Sequence, residues 1–139
     1  MATLHLGVAV RNAQLDAVES TTGVEPVLEL WSGALPDNCA AADSGTKIAE
    51  GTLPSDWMGA ADAGAKAKAG TWTVTGLSAA STGTNAVHFR IRKTATVHAQ
   101  GDISATGGSG AMTMDNISVA ENQVVTVTGF TLTAGNAGS

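Results

Sequence analysis

The chain has 139 residues and a mass of 13.8 kDa, carries 7 basic against 12 acidic side chains for a formal charge of −5, and draws half of its residues from Ala, Gly, Thr and Ser. One cysteine, Cys39, excludes an intramolecular disulfide and a cysteine-built zinc knuckle, and the acidic balance argues against a general nucleic-acid binder, whose phosphate contacts need a basic surface. No apolar run approaches the roughly 20 residues that cross a bilayer as a helix, and Met1 to Arg11 lacks the basic start of a secretory signal, so neither nucleic acid nor membrane is expected as a partner.

Charged residues are only 14 % and apolar ones 43 %, and the apolar residues fall in periodic blocks, so the chain is expected to fold as one β-rich domain over 1–139. Its core is expected to be thin and made of Val, Leu, Ile and Ala. Residues 8–19, VAVRNAQLDAVE, place Val8, Arg11, Leu15 and Val18 at three- and four-residue steps with no Gly or Pro, which predicts an N-terminal helix, with Gly23 available as its cap. From 24 to 133 the pattern is mainly β. Val27 to Trp31 reads as a strand, Ser32 to Asn38 as a turn cluster, Asn38 to Thr46 as a surface loop and Lys47 to Leu53 as a second strand. Residues 59–70, GAADAGAKAKAG, suit a helical turn or a flexible loop. Thr71 to Thr75 is a third strand, and Ser78 to Thr84 a connection.

The next segment is the most regular in the chain. Val87, Phe89 and Ile91 alternate with His88, Arg90 and Arg92, and after Lys93-Thr94-Ala95 the residues Val97, Ala99, Gly101 and Ile103 alternate with His98, Gln100 and Asp102. A three-residue loop would pair Ile91 with Val97, Phe89 with Ala99 and Arg90 with His98, gathering His88, Arg90, Arg92, His98, Gln100 and Asp102 on one polar face. Two more strands follow, 111–116 and 123–133. Val125 and Val127 share a face while Phe130 and Leu132 fall on the opposite parity, which predicts a bulge or bend at Gly129. The residues 134–139 read as a flexible tail. The expected fold is a small antiparallel β-sandwich or barrel of about seven strands with one N-terminal helix.

Reactive groups are few. His5, His88 and His98 are the only histidines, and a His88/His98/Asp102 metal site competes with the simpler reading of polar side chains on a strand face. Gly107, Gly108 and Gly110 precede a strand and miss the spacing of a phosphate-binding loop. No catalytic residue, cofactor or metal ligand is assigned. Arg90, Arg92 and Lys93 are three of the seven basic residues, a local positive stripe suited to an acidic protein surface. Trp57 and Met58, large and apolar in a small polar loop, either fill the core or anchor a partner.

Several segments together resemble a group of small virion structural proteins of tailed bacteriophages: Arg11-Asn12-Ala13-Gln14-Leu15-Asp16-Ala17, Leu28-Glu29-Leu30-Trp31-Ser32-Gly33, Gly51-Thr52-Leu53-Pro54, Phe89-Arg90-Ile91, and Val124 to Thr133. The hairpin departs from the pattern, with Lys93-Thr94-Ala95 in place of an Asp-Gly or Asn-Gly turn. The resemblance implies a non-enzymatic virion component assembled in a bacterial cytoplasm. On this reading it is a capsid decoration or cement protein, oligomeric and often trimeric, bound to the major capsid protein. The contact surfaces expected are the polar face with His88, Arg90, Arg92 and His98, the loop residues Trp57 and Met58, and the N-terminal Leu4 and Leu6. Reversal of charge at Arg90 and Arg92 is expected to spare folding and weaken attachment. The other readings are a tail or head-to-tail component, a carbohydrate- or receptor-binding β module, and a small glycan-degrading enzyme built on paired carboxylates among Asp102, Asp115 and Glu121.

Overall fold

The computed structural model describes residues 3–137, so the first two residues of the Met1 to Arg11 segment and the last two of the expected tail lie outside it. The N-terminal helix forms as α1 (Val8–Thr22), three residues longer than its periodicity suggested. Thr22 extends it by donating its hydroxyl to the Val18 carbonyl at 2.6 Å, and Gly23, at φ +93°, ends it with its N–H on Glu19 O. Ten strands follow: β1 (Val27–Trp31), β2 (Lys47–Thr52), β3 (Ala65–Ala67), β4 (Thr73–Gly76), β5 (Thr84–Asn85), β6 (His88–Lys93), β7 (Thr96–Ala105), β8 (Met112–Met114), β9 (Ser118–Val119) and β10 (Val124–Thr133).

Seven of these close a barrel in the order β10–β4–β2–β1–β6–β7–β8 and back to β10, so of the two architectures expected the barrel is the one formed. Closure depends on β10. Its first residues pair with β4, its middle with β8, and Thr131 to Thr133 with β3. The change of partner coincides with the predicted bulge. Val127 faces Met114 and Gly129 faces Thr113, leaving Thr128 as the extra residue that puts Phe130 on the inner face with Val125 and Val127.

The barrel is mixed, where an antiparallel one was expected, because β7 and β8 run parallel. Such a return normally takes a long crossover. Here only three residue pairs are made, so 106–111 suffices, with Gly107 at φ +91° turning the chain and the side chains of Ser104 and Asp102 accepting the N–H groups of Gly110 and Ala111. Residues 59–70 form neither of the structures expected of them, since Ala65–Ala67 is strand β3 beside β10. The ribbon β5–β9 was also not foreseen.

The core differs from the thin aliphatic one expected. Trp57, Trp72, Phe130 and Phe89 form a chain of aromatic contacts with centroids 5.9, 5.4 and 5.6 Å apart, surrounded by Leu28, Leu30, Ile48, Ile91, Met112 and Met114. Four of the five aromatic residues lie in this core, and the fifth, Trp31, is buried on the outer side of the wall. Val87, expected on the apolar face, precedes β6 and is exposed, its place inward being taken by Ala86. Beyond β10 the chain does not leave the domain at Ala134, whose N–H binds Gly64 O, and Asn136 O accepts the N–H of Leu6.

Candidate functional site

The predicted hairpin forms, but its register is two residues on from the expected one. Ile91 pairs with Ala99, Phe89 with Gly101, Arg90 with Gln100 and His88 with Asp102. The turn contains Thr94 and Ala95, with Thr94 at φ +56°, and β7 takes up an extra residue opposite the Ile91/Arg92 step. That residue is His98. The bulge separates it from the arginines, and it lines a cleft with Gln14, Val18 and Thr21 of α1, while Val97 takes the place beside Arg90 and Arg92. The weighed His88/His98/Asp102 grouping is therefore not assembled. Among the described residues no three His, Cys, Asp or Glu side chains come together in a way that would hold a metal ion.

The outer wall of β1, β6 and β7 carries a row of polar residues in direct register: Glu50 faces Glu29, Glu29 faces Arg90, and Arg90 faces Gln100. Two glutamates opposite each other repel unless cations are interposed. Lys47 lies 3.5 Å from Glu29 and 3.1 Å from Glu50, and Arg92 lies 3.1 Å from Glu29. Arg92 and Arg90 then share Asp43, each at 2.6 Å. The result is one continuous ion-pair chain from Glu50 to Arg90.

Over this wall lies the segment 33–45, an Ω-loop closed at its base by Ser32 N–H to Thr46 O at 3.0 Å. Its ends approach so closely that a Cβ on Gly33 would stand 2.5 Å from the Gly45 backbone, which fixes glycine at both positions. Arg90 holds the loop from beneath. Its Nη1 donates to Asp43, its Nη2 to the carbonyls of Asn38 and Ala41 at 3.2 and 3.0 Å, and its Nε and Nη2 to Gln100 Oε1. Gln100 in turn donates to Pro36 O at 2.7 Å, and His88 Nδ1 lies 2.6 Å from Gly33 O with its ring stacked on Trp31. A cleft of about 450 Å³ remains between loop and wall, lined by Cys39, Asp43, Arg92, Thr96 and Val97.

These contacts take the expected polar contact face off the surface. Arg90 is 1 % exposed and His88 fully buried, because alternation places a residue on the outer face of a strand without deciding what covers that face. Trp57 and Met58, each 1 % exposed, belong to the core, where the Trp57 indole donates to Gly23 O at 3.0 Å. Arg92 stays part-exposed, Leu6 is half-buried, and Leu4 is open to solvent. Asp43 and Glu29, which organise the site, were not singled out in the sequence. The signal for Glu29 was a lone carboxylate inside the apolar strand Val27 to Trp31, and for Asp43 there was none. Burial pushes the Asp43 carboxyl upward, but the hydrogen bonds from Arg92 and Arg90 outweigh it and hold the group below the usual aspartate value.

A second polar tie fixes α1, whose only buried residues are Leu15 and Thr22. Lys66, on β3 and 2 % exposed, donates to Asp16 at 2.7 Å and lies 3.1 Å from Glu19. The same carboxylates accept the N–H groups of Ala61 and Met58, and Asn12 accepts that of Gly64. The Lys66 hydrogen bond is the main cause that lowers the Asp16 pKa, followed by the Ala61 N–H. A group so lowered stabilises the fold above its unfolded value, and that contribution is lost as pH falls through the folded one. Replacement of Lys66 by Met is expected to lower Tm at pH 7 by about 5 °C, with the gap to wild type narrowing toward pH 3 as Asp16 takes a proton. Thermal melts at both pH values check this, and an equal gap at each would mean that the ion pairs do not fix the helix.

Comparison of the chain with family models, with curated proteins and with solved structures finds no match.

Proposed function

We propose that this chain is a non-enzymatic structural component of a tailed-phage virion. Its role would be that of a decoration protein which docks as a homo-oligomer, a trimer by preference, on the outer head surface made by the major capsid protein. The sequence resemblance motivates the reading, and one observation carries it: the ionisable groups of the barrel wall are engaged with one another. Glu29, Asp43, Lys47, Arg90 and Arg92 neutralise each other within a single chain of contacts that ties a loop to the barrel, an arrangement that rigidifies and leaves no free acid and base pair there.

With Arg90, His88, Trp57 and Met58 inside, the docking contact is assigned to the N-terminal segment. Leu4 is 63 % exposed, and Val8 and Val10 at the start of α1 are about half exposed, which puts three exposed apolar side chains within seven residues of chain. Covered by a partner, these side chains would add buried area across a capsomer joint, and several copies joined in one oligomer need only modest affinity each.

The test is quantitative mass spectrometry of particles from the phage that encodes the chain. Hundreds of copies per particle are expected. A handful would place the chain in the tail or connector, and absence from the particle would end the proposal. On heads stripped of the protein, Leu4→Asp combined with Val10→Asp is expected to fold normally and to lose at least tenfold in rebinding, a change of about 1.4 kcal/mol. Unchanged rebinding would remove the N-terminal segment from the contact.

A further inference from the structure

None of the residues 33–45 is buried, so the hold of this loop on the barrel wall falls to the polar contacts of Arg90, Arg92, Gln100 and His88. His88 differs from the other three. A carbonyl only accepts, so the contact with Gly33 O places the imidazole proton on Nδ1 and leaves Nε2 as a bare acceptor. Nε2 is the one buried side-chain nitrogen or oxygen among the described residues that has no hydrogen-bond partner. A proton added there would create a buried cation with no acceptor, against the Trp31 ring and beside the Arg90 guanidinium.

The groups around His88 come from every element packed on it. Arg90 and Arg92 share its strand, Glu29 and Trp31 stand on β1, Asp102 faces it from β7 with Oδ1 accepting from Ala111, and Asp43 lies in the loop above. Of these, Asp43 and Glu29 already answer the two arginines. We infer that the 33–45 loop is an acid-released cover over the Arg90 and Arg92 wall, with His88 as the residue that senses the proton. Opening would give the buried nitrogen access to water and would uncover the basic strip and the Cys39 thiol.

The direction follows from the environment. Burial lowers the His88 pKa below its ordinary 6.5, with Arg90 acting the same way and the Gly33 carbonyl and Asp43 opposing. Below pH 6.5 the open form therefore binds the proton more tightly than the closed one, and closure weakens as pH falls from that point. The Asp43 contacts persist to lower pH, because its carboxyl is held below 3.8.

Hydrogen exchange at pH 7.5, 6.0 and 5.0, corrected for intrinsic rates, tests the inference. Protection of 33–45 is expected to fall severalfold between pH 7.5 and 5.0, while β4 and β10 keep theirs. His88→Asn keeps a donor near the Nδ1 position and cannot take a proton, so in that variant the fall is expected to vanish. Constant protection in wild type, or the same fall in the variant, overturns the inference. If His88→Asn does not fold, NMR titration of the wild-type ring decides: protonation in step with loss of the loop amides supports the switch, and protonation with the loop still closed overturns it.

Discussion

Trp72→Ala is expected to cost about 4 kcal/mol, within the range measured for large aromatic truncations in packed cores. Trp72 is fully buried, packs against Trp57 on one side and Phe130 on the other, and donates its indole N–H to the carbonyls of Trp57 and Ala69 at 3.1 and 3.0 Å. Truncation thus opens a cavity in the middle of the aromatic chain and takes the indole donor from Ala69 O, while Trp57 O keeps the Ala69 N–H. A domain of this size has only about 5–15 kcal/mol of stability in total, so the variant sits near the limit of folding. Trp72→Phe refills most of the volume and loses only the hydrogen bonds, for about 1–2 kcal/mol. Urea unfolding of both variants at pH 7 checks the pair. A cost below about 1 kcal/mol for Trp72→Ala would show that the core does not depend on this ring.

Arg90→Met is expected to cost about 3 kcal/mol, as removal of one partner from a buried ionic network does. Methionine fills the space of the stem but supplies no donor to Asp43, Gln100 or the carbonyls of Asn38 and Ala41. The loss is local in its effects. Reaction of the single thiol, Cys39, with a maleimide is expected to accelerate, because the loop that carries it loses its central fastening. Arg90→Lys keeps a charge for Asp43 without the planar fork, so its cost and thiol reactivity fall between wild type and Met. Arg92, part-exposed and with Glu29 still paired to Lys47 in its absence, is expected to matter less. Charge reversal at Arg90 and Arg92, which the alternation alone suggested would spare folding, is now expected to release the loop and destabilise the barrel. A stable Arg90→Met protein with unchanged Cys39 reactivity would show that the loop is held by something else.

Much of the fold was legible because its signals are local. Val8 to Glu19 carries a helical period and ends at a glycine, β1, β2 and β6 are short runs of β-forming residues between turn residues, and the parity change at Gly129 marks the bulge that lets β10 serve three partners. The register of the β6–β7 hairpin was read correctly in parity and wrongly by two residues. Parity is set by which residues are apolar, whereas the offset is set by the turn and bulge, and Thr94 at positive φ with His98 as an extra residue has no counterpart in the hydropathy pattern. Residues 65–67 were missed as a strand because Ala-Lys-Ala has no β preference, and pairing with Thr131 to Thr133 decides its conformation.

The candidate site was half legible in the same sense. The pattern put His88, Arg90 and Gln100 on one face, and they are on one face. It did not show that 33–45 covers them, because the contacts run from guanidinium and amide groups to backbone carbonyls that every residue possesses. By itself, then, the sequence determined a mainly β fold, its helix, most of its strands and the position of a bulge, since each follows from residue periodicity over a few positions. Only the tertiary structure decided that the sheet closes, that β7 and β8 run parallel, and that the arginine face is internal. Those outcomes depend on which distant segments meet, and a strand has the same alternation whether its outer face meets water or a loop tied down from within.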